Sequence, residues 1–218
     1  VNMALTNAND MRIKYEKQAE KKDRKKSAGI NQLKEILEMT EIKRIECYDI
    51  SNTSGVQSVG SMVVFEDGHP NPKEYRKFKI KTIEGPNDYG SLKEVLTRRF
   101  KNGIKEIENG NTSTGFGNMP DLILMDGGKG EVSSALEILD EFKLDIEIAG
   151  LVKDDKHTTR AIIYQGQEIF INRNDPVYKL IYEIQEEAHR FAINYHRKLM
   201  QNTMKTSELD NIKGVGIK

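Results

Sequence analysis

Hydrophobic positions along the chain change period several times, and each change marks an element. Residues 3 to 39 read as helix, although the run from Arg12 to Lys26 is highly charged and has few apolar anchors. Ser27-Ala-Gly-Ile30 is expected to interrupt it, after which Ile30, Leu33, Ile36 and Leu37 restore a stripe able to pack on a core. From residue 43 the period falls to two, with Ile45, Cys47 and Asp49 alternating against polar neighbours. Val59 to Phe65 is β-branched and apolar, and Glu66-Asp-Gly-His-Pro70 is a turn. Tyr75 to Thr82 sets Arg76, Phe78 and Ile80 against Lys77, Lys79 and Lys81, a half-exposed strand with a basic outer face. These three strands read as an antiparallel meander.

Helix and strand then take turns. Leu92, Val95, Leu96, Phe100, Ile104 and Ile107 mark a helix from Ser91 to Ile107, and residues 110 to 117 form a glycine-rich loop. Leu122 to Met125 is a buried strand, Val132 to Leu139 a helix, and Ile146 to Val152 another strand. A polar loop with Lys153, Asp154, His157 and Arg160 leads to a small hairpin around Gln165-Gly166. The last helix runs from about Pro176 to Met204 on the stripe Val177, Leu180, Ile181, Ile184, Ala188, Phe191, Ala192, Tyr195 and Leu199. A meander feeding two parallel units predicts an α/β fold, a five-stranded mixed sheet flanked by helices. The division expected is a helical linker or extension over 1–40, a main domain over 41–205 and the start of another module over 206–218.

Composition narrows the class. The chain has 218 residues, 37% of them hydrophobic and 31% charged, with a formal net charge of zero. No stretch approaches the roughly 18 apolar residues of a membrane span, and the first residues form no apolar signal segment. The first residue is Val, which suggests a piece of a longer protein. The single Cys47 excludes an internal disulfide and a Cys-rich zinc site, and reads as a small buried hydrophobe. A reducing, cytoplasmic setting fits that composition.

The candidate chemistry sits at strand ends. Ile45-Glu-Cys-Tyr-Asp49 and Leu122-Ile-Leu-Met-Asp126 each deliver a carboxylate at the C-terminal tip of a strand, in phase with buried positions. Either Asp alone reads as a strand or turn cap. As a pair at matched strand ends they can hold Mg²⁺ or Mn²⁺, which prefer oxygen ligands. At ~100° per residue, His189 falls roughly 110° from the centre of the last helix's stripe and His196 within about 20° of His189. Such a flank histidine reads first as the partner of a neighbouring carboxylate. Asp88 suits the N-cap of its helix, with Ser91 an alternative. Gly127-Gly-Lys-Gly130 lacks the Walker spacing, but its backbone N–H groups and Lys129 can grip a phosphate.

Taken in order, several motifs resemble the UvrC family, the incision subunit of bacterial nucleotide excision repair. They are Arg44-Ile-Glu-Cys-Tyr-Asp-Ile-Ser51, Gly60-Ser-Met-Val-Val-Phe65, Tyr75-Arg-Lys-Phe-Lys-Ile80, Asp88-Tyr89, Glu94-Val-Leu-Thr-Arg-Arg99, Leu124-Met-Asp-Gly-Gly-Lys-Gly130, Glu187-Ala-His-Arg-Phe-Ala192 and His196-Arg197. The resemblance covers about residues 41 to 218. It implies an RNase H-like endonuclease domain that cuts 5′ of a damaged nucleotide with Mg²⁺ or Mn²⁺. It implies that Asp49, Asp126 and His189 are metal ligands and that Asp88 serves the same cut. Damaged duplex DNA and a UvrB–DNA complex are the implied partners, with no membrane involved. Two departures stand out: Asn52, where the family often has His, and Asn87, where it often has a second acid. The family's GIY-YIG nuclease, Cys-rich stretch and UvrB-binding segment are not visible. Leu209 to Lys218 resembles the first hairpin of a helix-hairpin-helix pair, in which Gly214 and Gly216 would approach phosphate. Lys129, Arg160, Arg190, His196 and Arg197 are candidate phosphate contacts. The rivals are a catalytically silent RNase H-like binding module and another RNase H-like nuclease, such as a transposase or ribonuclease H.

Overall fold

The structure, a computed structural model, describes residues 2–51, 59–82, 87–155 and 158–205. Its elements are α1 (Asn2–Ile36), β1 (Arg44–Ser51), β2 (Val59–Glu66), β3 (His69–Pro70), β4 (Arg76–Lys79), α2 (Asp88–Glu108), β5 (Leu122–Met125), α3 (Lys129–Phe142), β6 (Glu147–Lys153), β7 (Thr159–Tyr164), β8 (Gln167–Phe170) and α4 (Pro176–Lys205). The sheet order is β3-β2-β1-β5-β6-β7-β8, with β4 also paired to β2. β1 lies antiparallel to β2 and parallel to β5, and β5 is parallel to β6, so the expected meander and parallel units meet in one mixed sheet.

The sheet runs further than the five strands expected. The hairpin β7–β8 continues it, with β7 antiparallel to β6. The reason lies in β6, where Ile148 to Leu151 are buried. A strand covered on both faces needs a paired neighbour on each side, because unpaired N–H and C=O groups there would be costly.

Alternation along β1 sorts the two faces. Ile45 and Cys47 face α4 together with Asp49, while Arg44, Glu46 and Tyr48 point the other way, where Arg99 of α2 meets Glu46. That second face holds a buried ion cluster. Arg99 and Glu46 are both fully buried, with Arg99 Nη2 at 2.8 Å from Glu46 Oε1. Arg99 also donates to the carbonyls of Phe116 and Asn118, Tyr48 donates to Glu46, and Arg44 lies on the same carboxylate. The cluster ties β1, α2 and the glycine-rich loop together.

Helix α1 is not broken at Ser27-Ala-Gly-Ile30, contrary to expectation. Gly29 is where α1 crosses α4: a Cβ there would lie 3.0 Å from Leu180 Cβ and 3.1 Å from the Pro176 carbonyl oxygen. The small residue marks a close helix crossing, not an interruption. Beyond it Ile30, Leu33 and Leu37 join the core, as their spacing predicts.

Candidate active site

Register brings the two aspartates level. Asp121, just before β5, accepts hydrogen bonds from the Lys43 and Arg44 N–H groups at 2.8 and 2.7 Å, and its own N–H returns to the Arg44 carbonyl at 2.9 Å. That clamp starts a parallel ladder in which Ile45 pairs with Leu122 and Tyr48 with Met125. The pairing ends there, and Asp49 and Asp126 are the residues that directly follow its last pair. Adjacent strands lie about 4.8 Å apart, so both carboxylates leave the same end of the sheet as neighbours.

The turn after Asp126 is fixed from β6. The Leu151 N–H donates to the Gly127 carbonyl at 3.0 Å. At Gly150 a Cβ would stand 2.8 Å from that same carbonyl oxygen and 2.6 Å from Val132 Cγ2, so β6 approaches the turn closely.

Each carboxylate meets a different neighbour. Asp49 faces His189 of α4, with Nδ1 4.0 Å from Oδ2, a separation too long for a hydrogen bond. Asp126 is held more tightly. Lys153 Nζ lies 2.9 Å from each of its oxygens, and Gln185 Nε2 donates to Oδ1 at 2.6 Å. The Gln185 amide is oriented in turn by the Thr159 hydroxyl, which donates to Oε1 at 2.6 Å. Thr159 and Gln185 are buried, so this chain from β7 through α4 to Asp126 fixes the carboxylate's plane.

The electrostatics show a surplus of negative charge. Burial and then the neighbouring Asp126 push the Asp49 carboxyl above the usual carboxylate range, against the opposing pull of His189 and Lys153. Cys47, beneath the pair, is buried, and burial, then Asp126 and Asp49, push its thiol well up. It behaves as the inert small hydrophobe expected.

Two clefts open onto this point, and Asp126 lines both. One, of about 230 Å³ on the α4 side, is lined by Lys153, Thr159, Tyr182, Gln185 and His189. The other, of about 110 Å³, is lined by Asp49, Asp88, Leu92 and Glu131. Asp88 therefore reaches the carboxylate cluster from the start of α2. The cap itself is Asn87, whose side chain accepts from the Gly90 N–H at 2.9 Å, in place of the Asp88 or Ser91 cap expected.

The donor set fits a divalent ion: two neighbouring carboxylates at the ends of β1 and β5 supply hard oxygen donors, an imidazole stands beside one of them, and an ammonium already sits against the other. As the side chains stand, no three His, Cys, Asp or Glu groups among the described residues are gathered closely enough to cage an ion.

The candidate phosphate contacts scatter. Lys129 is exposed at the first turn of α3. Arg160 points away from Thr159 and pairs with Glu168 at 2.8 Å over the Phe170 ring, outside both clefts. Arg190 is held by Glu187 at 2.6 Å, and Arg197 is exposed further along α4. The His196 side chain, His157, Gly214 and Gly216 lie outside the described residues. Of the basic strip on β4, Lys77 does not simply face solvent: its Nζ lies 4.7 and 4.6 Å from the ring centres of Phe191 and Tyr195.

Sequence reasoning did not assign Lys153, Gln185 or Thr159 to the site. The available signal was a polar Gln185 next to the apolar positions Ile181, Ile184 and Ala188, which implies a buried amide with a partner.

Residues 34–193 match the family model described as the UvrC RNase H endonuclease domain. Relatives called UvrABC system protein C are 55% identical over 216 residues in Finegoldia magna and 52% over 201 residues in Lachnospira eligens. These alignments cover 99% and 91% of this chain but 35% and 33% of the relatives, so the chain spans about a third of their length. Among solved structures, human ENDOV aligns with a TM-score of 0.41 and 12% identity, over 74% of this chain and 87% of that one. The mixed sheet, the ladder that levels Asp49 with Asp126, and the match over most of the chain agree, and the chain belongs to the UvrC RNase H endonuclease domain family.

Proposed function

We propose that this chain is the endonuclease part of a nucleotide excision repair protein, hydrolysing one DNA phosphodiester 5′ of a damaged nucleotide with Mg²⁺ or Mn²⁺. The observation that carries the reading is the placement of Asp49 and Asp126 side by side, directly after the last β1–β5 pair, with His189 facing one and an oriented Lys153–Gln185 pair on the other. Asp49, Asp126 and His189 would hold the ion, and Asp88 would serve the same cut from the second cleft. A divalent ion bound there supplies Lewis-acid stabilisation of the charge that builds on a phosphodiester under attack.

The chain's own residues do the rest. Thr159 and Gln185 hold Asp126 in one orientation, so that carboxylate is already set when substrate arrives. His189, two-thirds exposed, is free to exchange protons with solvent at the rim of the cleft. Lys129, Arg190, His196 and Arg197 lie on α3 and α4 as candidate contacts for the DNA backbone, with Gly214 and Gly216 as further ones. Arg160 remains a candidate only if the Glu168 pair opens.

The proposed division keeps residues 1–40 as an extension, 41–205 as the nuclease domain and 206–218 as the start of a helix-hairpin-helix module. The working partner is a UvrB–DNA complex on damaged duplex, in the cytoplasm.

The test is incision of a defined damaged duplex by the full-length protein with its partners. Asp49→Ala and Asp126→Ala should each abolish the 5′ cut while leaving the circular dichroism spectrum unchanged, and excess chelator should stop wild-type cutting. Retained 5′ cutting by either variant would sink the site assignment. The alternative, a silent RNase H-like module, draws on the lack of three gathered ligands among the described residues. It expects DNA binding, no metal-dependent cut and no effect of either substitution.

A further inference from the structure

Lys153 occupies the position against Asp126 that a metal ion would need. Its Nζ touches both carboxylate oxygens at 2.9 Å, and Gln185 takes a further bond to Oδ1. This placement is built into the backbone. The β6–β7 ladder shifts register between Val152 and Lys153, so that Lys153 pairs with Thr159 after Val152 has paired with Ala161. Such a bulge re-aims the side chain that follows it. The skipped residue is Arg160, so here the bulge turns Thr159 of β7 inward, while alternation along β6 from Ala149 through Leu151 puts Lys153 on the face of Leu124 and Asp126; both enter the cleft that Asp126, Gln185 and His189 line. The pair is about one-third exposed on the Lys153 side and one-fifth on the Asp126 side, so the ammonium can swing to solvent without unfolding anything.

We propose that Lys153 is a resident counter-cation of the carboxylate site, holding Asp126 in place before the divalent ion arrives and displaced by that ion when it binds. The inference rests on the reading of Asp126 as a ligand. Two neighbouring carboxylates repel. An intrinsic cation keeps them together, and an ammonium and a divalent ion on the same carboxylate oxygens repel each other. Lys153 thereby sets how much divalent ion the site needs, and is a positioning residue that acts through Asp126.

The experiment titrates Mn²⁺ into the 218-residue protein without DNA, following free Mn²⁺ by its electron spin resonance signal. Lys153→Met and Lys153→Gln remove the competing charge and should bind Mn²⁺ about tenfold or more tightly than wild type, the scale of effects seen around metal ligands. Lys153→Arg keeps the charge and should stay near wild type. Asp126→Asn is measured alongside and should lose binding. If Asp126→Asn loses binding but neither Lys153→Met nor Lys153→Gln gains affinity, the counter-cation inference is overturned and the metal-site reading stands. If Asp126→Asn binds Mn²⁺ like wild type, the metal-site reading fails and the inference falls with it.

Discussion

At the residue scale, the site trades stability for charge. Because burial and Asp126 raise the Asp49 carboxyl in the folded state, the fold binds its proton more tightly than the unfolded chain does. The stabilisation from protonated Asp49 is therefore full below the unfolded value and is lost as pH rises through the folded value. At neutral pH Asp49→Asn should stabilise the fold by about 1 kcal/mol and abolish incision. The gain should vanish in acid, where wild-type Asp49 is protonated too, and thermal melts at neutral and acidic pH would check both. The other face of β1 behaves oppositely. Glu46 is fully buried and bonded to Arg99 and Tyr48. Glu46→Gln leaves Arg99 buried without its counter-charge and should cost roughly 3–5 kcal/mol, measurable by urea unfolding. Composition does not reveal this cluster, because Arg44, Glu46 and Arg99 look like surface residues until β1 and α2 are packed.

At the element scale, the family motifs find physical reasons. Glu94 of α2 accepts the N–H groups of Lys81 and Thr82 and the Thr82 hydroxyl, and Arg98 lies on it, so α2 caps the segment that leaves β4. Burial alone would raise the Glu94 carboxyl, but the Thr82 and Lys81 bonds and Arg98 outweigh it and hold it below the usual range. Its contribution is present above the unfolded value and lost as pH falls through the folded one. Glu94→Gln should therefore cost about 1–3 kcal/mol at neutral pH and nothing in strong acid. A pH series of denaturation midpoints for the two proteins would show convergence. In Glu187-Ala-His-Arg-Phe-Ala192, Ala188 and Ala192 are buried, Phe191 meets Tyr75 edge-on at 5.1 Å, and His189 is the residue turned toward Asp49. The turn Asp67-Gly68 was legible as punctuation, and both residues take positive φ, as a tight hairpin requires.

At the scale of the whole molecule, the chain is a sheet with its candidate site at one end and α1 crossing the first turns of α4. Residues 7–25 of α1 are exposed, whereas Leu33 and, just past the helix end, Leu37 are fully buried. Removing residues 1–20 should leave the melting temperature nearly unchanged. Removing 1–40 should destabilise strongly, since each buried leucine lost costs about 2–5 kcal/mol. Calorimetry on the two truncations would separate an exposed extension from a core element. The charge total of zero carries no such information: the lysine-rich α1 is offset by a net acidic remainder of the chain.

The sequence by itself determined the strands, their buried phase and the carboxylates at two strand tips. Period-two and period-3.6 patterns are local consequences of backbone geometry, readable residue by residue. It also placed His189 on the flank of its helix for the same reason. Only the tertiary structure decided that Asp49 and Asp126 stand side by side, because ladder register depends on a contact between residues 77 positions apart, Arg44 and Asp121. Only packing decided that Lys153, not a histidine, lies on Asp126, because that needs β6 laid beside β5 in the register that pairs Leu124 with Ala149. Distances between elements follow from long-range register and packing, which a pattern along one chain does not encode.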